Sequence, residues 1–86
     1  MSEDVAASIK HLFVSDLFVE IPEDQISLDD GLQSVLGLDS LGFIELRLLC
    51  EQRFGVQIAD PDFSPDNFRS IRRLTTLIEG LLAARR

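Results

Sequence analysis

The sequence has 86 residues, which suits one small domain over residues 1–86. Hydrophobic residues make up 45% of it, enough for a packed core, and the formal net charge is −7. A single Cys excludes an internal disulfide, and one Cys with one His argues against a zinc site, which usually takes four ligands. The acidic balance disfavours nucleic acid as a partner, and no apolar run is long enough to cross a membrane.

The charges are unevenly distributed along the chain. Residues 1–46 hold ten acidic side chains and one basic one, whereas residues 69–86 hold five arginines and one acid. One interpretation is a solvated acidic surface, and the other is an acidic face that steers basic partners. The N-terminus has no basic segment ahead of an apolar run, so we expect no secretory signal and a cytoplasmic protein.

The first predicted helix spans about Glu3–Val19, because its apolar residues recur at helical spacing, with Ser2 as the predicted cap. Pro22 closes this segment. The long stretch Glu20–Leu38 follows, with scattered apolar residues around Pro22 and among its acids and glycines. Those apolar residues favour a structured loop packed on the core, and connections of this length are often functional.

The second predicted helix spans about Ser40–Phe54, with Asp39 or Ser40 as its cap and Gly55 at its left-handed end. A helical wheel gives this segment two apolar faces more than a hundred degrees apart. We expect one to face the core, and the other to meet a ligand, a partner or the long loop. The inner stripe consists of Phe43, Leu46, Cys50 and Phe54, and the outer stripe of Leu41, Ile44 and Leu48.

The remaining chain predicts a short extended piece at Val56–Ile58, a short helix within Asp60–Phe68 and a last helix from Ser70. Ser64 followed by Pro65 is typical of a cap and a first helical turn. The predicted fold is therefore all-α, a four-helix bundle of three long helices and one short one. Its long loop joins the first and second helices.

Catalytic chemistry is poorly supported by this sequence. The single imidazole, His11, lies beside core positions of a helix, and Cys50 falls on the inner stripe as a small buried hydrophobe. The acidic run at residues 60–66 lacks the glycine and the bidentate Glu of a calcium loop. We therefore expect a chain that is not an enzyme and holds no metal.

Ser40 stands out by its position at the predicted start of the second helix. Unpaired N–H groups and the positive end of the helix dipole meet there, which suits a phosphate. The alternative from spacing alone is that Asp39 and Ser40 form an ordinary helix cap.

The run Leu36-Gly37-Leu38-Asp39-Ser40-Leu41, with Ile44-Glu45-Leu46 and Phe54-Gly55-Val56 after it, resembles the signature of acyl carrier proteins. The resemblance extends over most of the chain and implies a right-handed four-helix bundle. It also implies that a phosphopantetheinyl transferase attaches 4′-phosphopantetheine to Ser40, flanked by Asp39 and Leu41. The thiol of that arm then carries an acyl group as a thioester.

The same resemblance gives the outer stripe a purpose, as the surface on which partner enzymes dock. The implied partners are acyl-loading and acyl-processing enzymes such as an acyltransferase, a ketosynthase or a dehydrogenase, acting on a monomeric carrier. Some carriers also hold the acyl chain between the second and third helices, where Phe63 and Phe68 could wall a cavity. The predicted docking residues are Leu41, Ile44, Glu45, Leu48 and Glu51.

The sequence departs from the family pattern in its acidic residues. Val35 replaces a common acid, and Arg47 and Arg53 interrupt the acidic face of the second helix. These departures disfavour fatty-acid enzymes that bind a densely acidic helix. The run Phe63-Ser64-Pro65-Asp66-Asn67-Phe68 and the basic last helix are more similar to discrete carriers of specialised polyketide pathways, including carriers of modified malonyl units such as methoxymalonate. One alternative is a peptidyl or aminoacyl carrier, although Gly-Leu-Asp-Ser favours acyl cargo. An unmodified helical interaction domain is the alternative from another class.

Overall fold

A computed structural model of the chain describes residues 4–17 and 19–84. The described ranges contain three α-helices, α1 (Val5–Ser15), α2 (Ser40–Phe54) and α3 (Ile71–Ala84). Two 3-10 turns, Glu23–Gln25 and Asp60–Asp62, lie in the connections. The all-α prediction is confirmed, but the predicted fourth, short helix is replaced by turns.

Helix α1 begins and ends inside the predicted limits. Asp4 caps it by accepting a hydrogen bond from the Ala7 N–H at 3.2 Å, and the predicted cap Ser2 lies outside the described residues. At the other end the N–H groups of Asp16 and Leu17 both donate to the Leu12 carbonyl, at 2.9 and 3.0 Å. This closure ends α1 at Ser15, so the prediction of a helix to Val19 is wrong.

The apolar spacing continues past α1 because the next side chains still contact the core. Leu17 and Val19 are half-buried against it, and the Val19 N–H donates to the Phe13 carbonyl at 2.9 Å. A periodic pattern therefore records which side chains reach the core and does not by itself record where the helix ends.

Helix α2 has the predicted bounds. Asp39 precedes it in extended conformation, and Gly55 ends it in the left-handed region at φ 65°. A residue with a Cβ is disfavoured in that conformation, which explains why glycine stands there.

The prediction of a short helix over Asp60–Phe68 is wrong in its extent. The 3-10 turn at Asp60–Asp62 ends before Ser64. Ser64 precedes Pro65, and a residue before a proline is disfavoured in the helical conformation. Ser64 then caps a single turn, its hydroxyl accepting from the Asn67 N–H at 3.2 Å. The turn ends at Arg69, whose carbonyl accepts a hydrogen bond from the Leu32 N–H of the long loop, at 3.0 Å.

Helix α3 follows at once and is capped by Ser70, whose hydroxyl accepts from the Arg73 N–H at 3.2 Å. Its apolar face is buried through Ile71, Leu74 and Ile78, as the spacing predicts. Gly31 and Ser70 form an isolated antiparallel bridge, which is the only strand-like pairing in the described ranges.

The long loop is structured and packs on the core, as predicted. Four of its apolar side chains are buried, whereas Val35 is 50% exposed. The loop is held to the start of α3, because the Arg72 N–H donates to the Leu28 carbonyl at 2.9 Å. The Arg72 guanidinium also donates to both carboxylate oxygens of Asp29, which lowers the pKa of that carboxyl below its ordinary value. The buried loop residues are Ile26, Leu32, Leu36 and Leu38.

Candidate functional site

The first turn of α2 contains the predicted site serine. Asp39 is the cap, since its carboxylate accepts a hydrogen bond from the Gly42 N–H at 2.8 Å. Ser40 is the first helical residue, its side chain is exposed, and its hydroxyl forms no hydrogen bond to any described residue. The choice that the sequence left open, Asp39 or Ser40, is settled in favour of Asp39. The Ser40 hydroxyl is therefore not used for capping.

The backbone at this helix start has spare donors. Among the described residues, the N–H groups of Ser40 and Leu41 have no acceptor, while those of Gly42 and Phe43 donate to Asp39. Unpaired N–H groups and the positive end of the helix dipole favour an anion beside the first turn. A phosphodiester on the Ser40 oxygen would lie in that environment.

The segment that leads into α2 is fixed to the core on both sides of Gly37. Leu36 and Leu38 are each 7% exposed, and the Leu38 N–H donates to the Leu32 carbonyl at 3.0 Å. Gly37 between them has φ 78°, a conformation that L side chains rarely adopt. The two buried leucines thus anchor the chain on the core immediately before the exposed serine.

Gly42 has a packing role that the sequence pattern did not reveal. A Cβ at this position would lie 3.0 Å from Leu38 Cδ2 and 3.3 Å from Asp39 Oδ1. The missing side chain lets the anchoring leucine and the capping carboxylate lie close against the helix. From sequence, Gly42 is only a gap in the acidic face of α2.

The outer stripe of α2 is exposed, as the prediction of a ligand or partner surface requires. Leu41 is 76%, Ile44 49% and Leu48 52% exposed, so the long loop does not cover them. Val35 adds a fourth exposed apolar side chain from the end of the loop. The three exposed residues of the outer stripe share one face of α2, and such a group is typical of interaction surfaces.

Two charged residues of α2, Arg47 and Glu51, make contacts inside the fold that the sequence does not indicate. Arg47 hydrogen-bonds the Ile58 carbonyl and Asp60, the latter at 2.9 Å, and its guanidinium lies 5.0 Å from the centre of the Phe63 ring. The Glu51 carboxylate accepts from the Ile58 N–H at 2.7 Å. Both side chains thus tie α2 to the segment after it.

Glu45 is the remaining charged member of the predicted docking set. Its side chain is exposed and, within the part of the chain that the structure describes, it has no ionic partner. The partners of Arg47 and Glu51 lie 7 to 13 residues away in sequence, beyond the reach of helical spacing rules. No signal in the sequence distinguishes Glu45 from Glu51.

A cavity of about 510 Å³ lies between α2, the long loop and the segment before α3. Phe63 and Phe68 wall it, as predicted, with ring centres 4.9 Å apart in an edge-to-face arrangement. Phe43 of α2 and Arg69 also line it.

Other reactive side chains play no part in this site. Cys50 is fully buried, and burial raises the pKa of its thiol to about 12, so it is a poor nucleophile. His11 is exposed on α1 and lies 3.1 Å from a Glu23 carboxylate oxygen, in keeping with a surface helical histidine. No cluster of metal-ligating side chains occurs within residues 4–17 and 19–84. In the same ranges no helix is long and apolar enough to cross a membrane.

Comparison with known proteins identifies the family. Residues 13–78 match the family described as "Phosphopantetheine attachment site". An acyl carrier protein of Campylobacter hominis is 35% identical over 71 residues, which cover 79% of this chain and 87% of the relative. One from Treponema denticola is 34% identical over 70 residues, covering 81% and 85%. The chain belongs to the phosphopantetheine-binding family of acyl carrier proteins.

Membership of this family confirms the main functional expectation. Such a carrier bears a phosphopantetheine arm on a serine and holds acyl groups as thioesters, and it does not catalyse their chemistry. It works with a phosphopantetheinyl transferase and with enzymes that process its acyl group. The first turn of α2, with an exposed serine and spare N–H donors, suits the phosphate of that arm.

Proposed function

We propose that Ser40 is the residue that receives the 4′-phosphopantetheine arm. The observation that supports this most is the exposed Ser40 hydroxyl on the first turn of α2, left unused because Asp39 caps the helix. Asp39 and Leu41 flank it, with Asp39 as a positioning residue. Two other serines, Ser64 and Ser70, use their hydroxyls as caps.

The attachment reaction follows from the chemistry of coenzyme A. The Ser40 oxygen bonds to the phosphorus that carries the pantetheine, the diphosphate P–O bond breaks, and adenosine 3′,5′-bisphosphate leaves. The hydroxyl proton passes to the transferase. The carrier supplies an accessible hydroxyl and a helix start whose spare N–H groups stabilise the anionic phosphodiester.

We further propose that residues 1–86 form one monomeric, cytoplasmic carrier domain of specialised polyketide biosynthesis, loaded with a modified malonyl-type unit. The support is the charge of α2. Fatty-acid enzymes that bind a densely acidic helix would find a single carboxylate on its outer side, Glu45, that has no ionic partner among the described residues. Glu51 is bound to the Ile58 N–H, and Val35 presents an apolar side chain.

The proposed docking surface for these enzymes is centred on the outer stripe, Leu41, Ile44 and Leu48. An apolar centre with charges at its edge is the usual construction of a transient interface. Glu45 supplies that charge. We assign Glu51 only the role of fixing α2 to the segment after it, since its carboxylate already accepts a hydrogen bond from the Ile58 N–H. An acyltransferase, a ketosynthase and a dehydrogenase are the proposed partner classes.

The test is intact mass after incubation with coenzyme A and a promiscuous phosphopantetheinyl transferase. We expect the parent protein to gain one phosphopantetheinyl group and Ser40→Ala to gain none, with its circular dichroism unchanged. Ser34→Ala, at an exposed loop serine, is the matched control and should be modified like the parent. Modification that persists in Ser40→Ala would refute the assignment.

The proposed pathway is tested by identifying the acyl group that the carrier holds. We expect the mass of the carrier purified with its native pathway to show a modified malonyl-type acyl group, heavier than malonyl itself. A saturated fatty acyl group would place it in fatty-acid synthesis, and an aminoacyl group would make it a peptidyl carrier; either result contradicts the proposal.

A further inference from the structure

The aromatic cavity is unusual in combining an apolar interior with a positive charge. Phe43, Phe63 and Phe68 supply its apolar surface, and Arg69 is the one ionisable side chain among the described residues that line it. The Arg69 side chain is 68% exposed, so its guanidinium lies at the opening and not in the interior. The cavity therefore presents an apolar space with a cation at its edge.

Arg69 has only a loose ion pair among the described residues. Its guanidinium lies 3.8 Å from an Asp66 carboxylate oxygen, which is too long for a hydrogen bond. The other oxygen of Asp66 is bound by Arg73 at 2.5 Å. Because Arg73 takes the short contact, the guanidinium of Arg69 retains donors for another anion.

The cavity lies within reach of the proposed attachment point. Phe43 is three residues after Ser40, and residues at this spacing are neighbours on a helix surface. Gly31 and Ser34 line the cavity from the loop that leads into α2. An acyl group tethered to Ser40 could thus enter past the first turn of α2.

We propose that this cavity holds an acyl group with a free carboxylate, and that Arg69 binds the carboxylate at the opening. The inference rests on the proposed arm at Ser40 and assigns to Arg69 a role in cargo recognition. The methylene of the unit and the end of the arm lie against the three phenylalanine rings, and the carboxylate pairs with the guanidinium, which suits planar anions. Asp66 does not oppose this pairing, because Arg73 compensates its charge.

The experiment compares two cargoes that differ in charge but hardly in shape. A phosphopantetheinyl transferase loads the carrier from malonyl-coenzyme A or from acetoacetyl-coenzyme A, in which a methyl ketone replaces the carboxylate. Intact mass confirms each loading. The readout is the ¹H–¹⁵N NMR spectrum, including the Nε–H of Arg69 and the backbone amides of Gly31, Ser64 and Phe68.

We expect malonyl to move these resonances further than acetoacetyl, with an occupancy of the cavity about two- to fivefold higher, the range of an exposed ion pair. Arg69→Gln should remove the difference between the two cargoes. Arg53→Gln removes one positive charge from the last turn of α2 and should preserve it. Arg69→Lys, which keeps the charge without the planar fork, should give an intermediate result.

Two outcomes would overturn the proposal. Equal shifts for both cargoes in the parent would mean that charge is not recognised, and no shift for either would mean that the cargo stays in solvent. Failure to load at all, seen by mass, would instead refute the proposed arm at Ser40. The two failures are therefore distinguishable.

Discussion

The two apolar faces of α2 are similar in sequence and opposite in environment. On the inner stripe, Leu46 and Cys50 are fully buried and Phe54 is 8% exposed. On the outer stripe, Leu41 is 76% exposed and Leu48 is 52% exposed. The inner stripe stabilises the fold by burial, whereas the outer stripe has no such role and remains available to another protein.

The charged residues of α2 divide in the same way. Arg47 binds Asp60, the Ile58 carbonyl and the Phe63 ring, while Glu45 faces solvent without a partner among the described residues. One helix thus supplies both a wall of the core and a contact surface. Substitutions should affect stability or transfer according to the face on which they lie.

The largest expected effect is on the inner stripe. We predict that Phe54→Ala lowers the free energy of unfolding by about 3–5 kcal/mol, since it removes a buried ring from a small core. Leu48→Ala on the outer stripe should change it by about 0.5 kcal/mol or less. Urea unfolding followed by circular dichroism measures both. Similar losses for the two variants would show that the outer stripe is also part of the core.

A second prediction concerns Arg47, which interrupts the acidic face of α2 in the sequence and belongs to a network of contacts in the structure. Arg47→Gln should lower the free energy of unfolding by about 1–3 kcal/mol, because charged hydrogen bonds to Ile58 and Asp60 are lost. Acyl transfer to or from the folded variant should proceed at the parent rate. Unchanged stability with slower transfer would instead show that Arg47 contacts the partner enzyme at the docking surface.

The sequence predicts the bounds of α2 because local signals mark both of its ends, a capping residue at Asp39 or Ser40 and a left-handed terminus at Gly55. It overextends α1, because Leu17 and Val19 contact the core without being helical. The segment 60–68 has a local break before Pro65 and a non-local contact, a hydrogen bond from the distant Leu32 to the Arg69 carbonyl. Rules of helical spacing describe contacts within one helix, so they do not predict a hydrogen bond between distant segments.

The candidate site likewise has features that the sequence predicts and features that it does not. The motif around Ser40 is local, so its position at the helix start follows from sequence. That Asp39 and not Ser40 is the cap requires the side-chain geometry. The internal roles of Arg47 and Glu51, and the position of Arg69 beside three phenylalanines, depend on how distant segments pack.

The third prediction tests the outer stripe as a docking surface. Leu41→Ala and Leu48→Ala should each slow transfer at Ser40 by about 5- to 30-fold in kcat/KM, because they remove apolar anchors worth about 1–2 kcal/mol. Gln52→Ala, at an exposed polar position of α2, is the control and should have no effect. Transfer kinetics with a cognate loading enzyme give the measurement. Parent rates for both leucine variants would place the docking surface elsewhere, such as on the basic start of α3.

The smallest expected effect separates charge from contact on that surface. Glu45 is exposed and unpaired among the described residues, so it acts on an approaching enzyme through solvent. An edge charge of this kind mainly sets the encounter rate. We predict that Glu45→Lys slows transfer by about two- to fivefold at low salt, in the range of exposed ion pairs. The deficit should shrink with salt, because the Debye length falls from about 30 Å at 0.01 M to about 8 Å at 0.15 M.

The matched control for this charge reversal is Glu45→Gln, which removes the charge without reversing it. It should show about half the logarithmic deficit of Glu45→Lys, with the same decline as salt rises, because the charge changes by one and not by two. The leucine variants provide the opposite pattern, since the loss of an apolar anchor is insensitive to ionic strength. A deficit in Glu45→Lys that persists unchanged at high salt would mean that the longer lysine side chain obstructs contact, and Glu45 would then belong to the contact area and not to its charged edge.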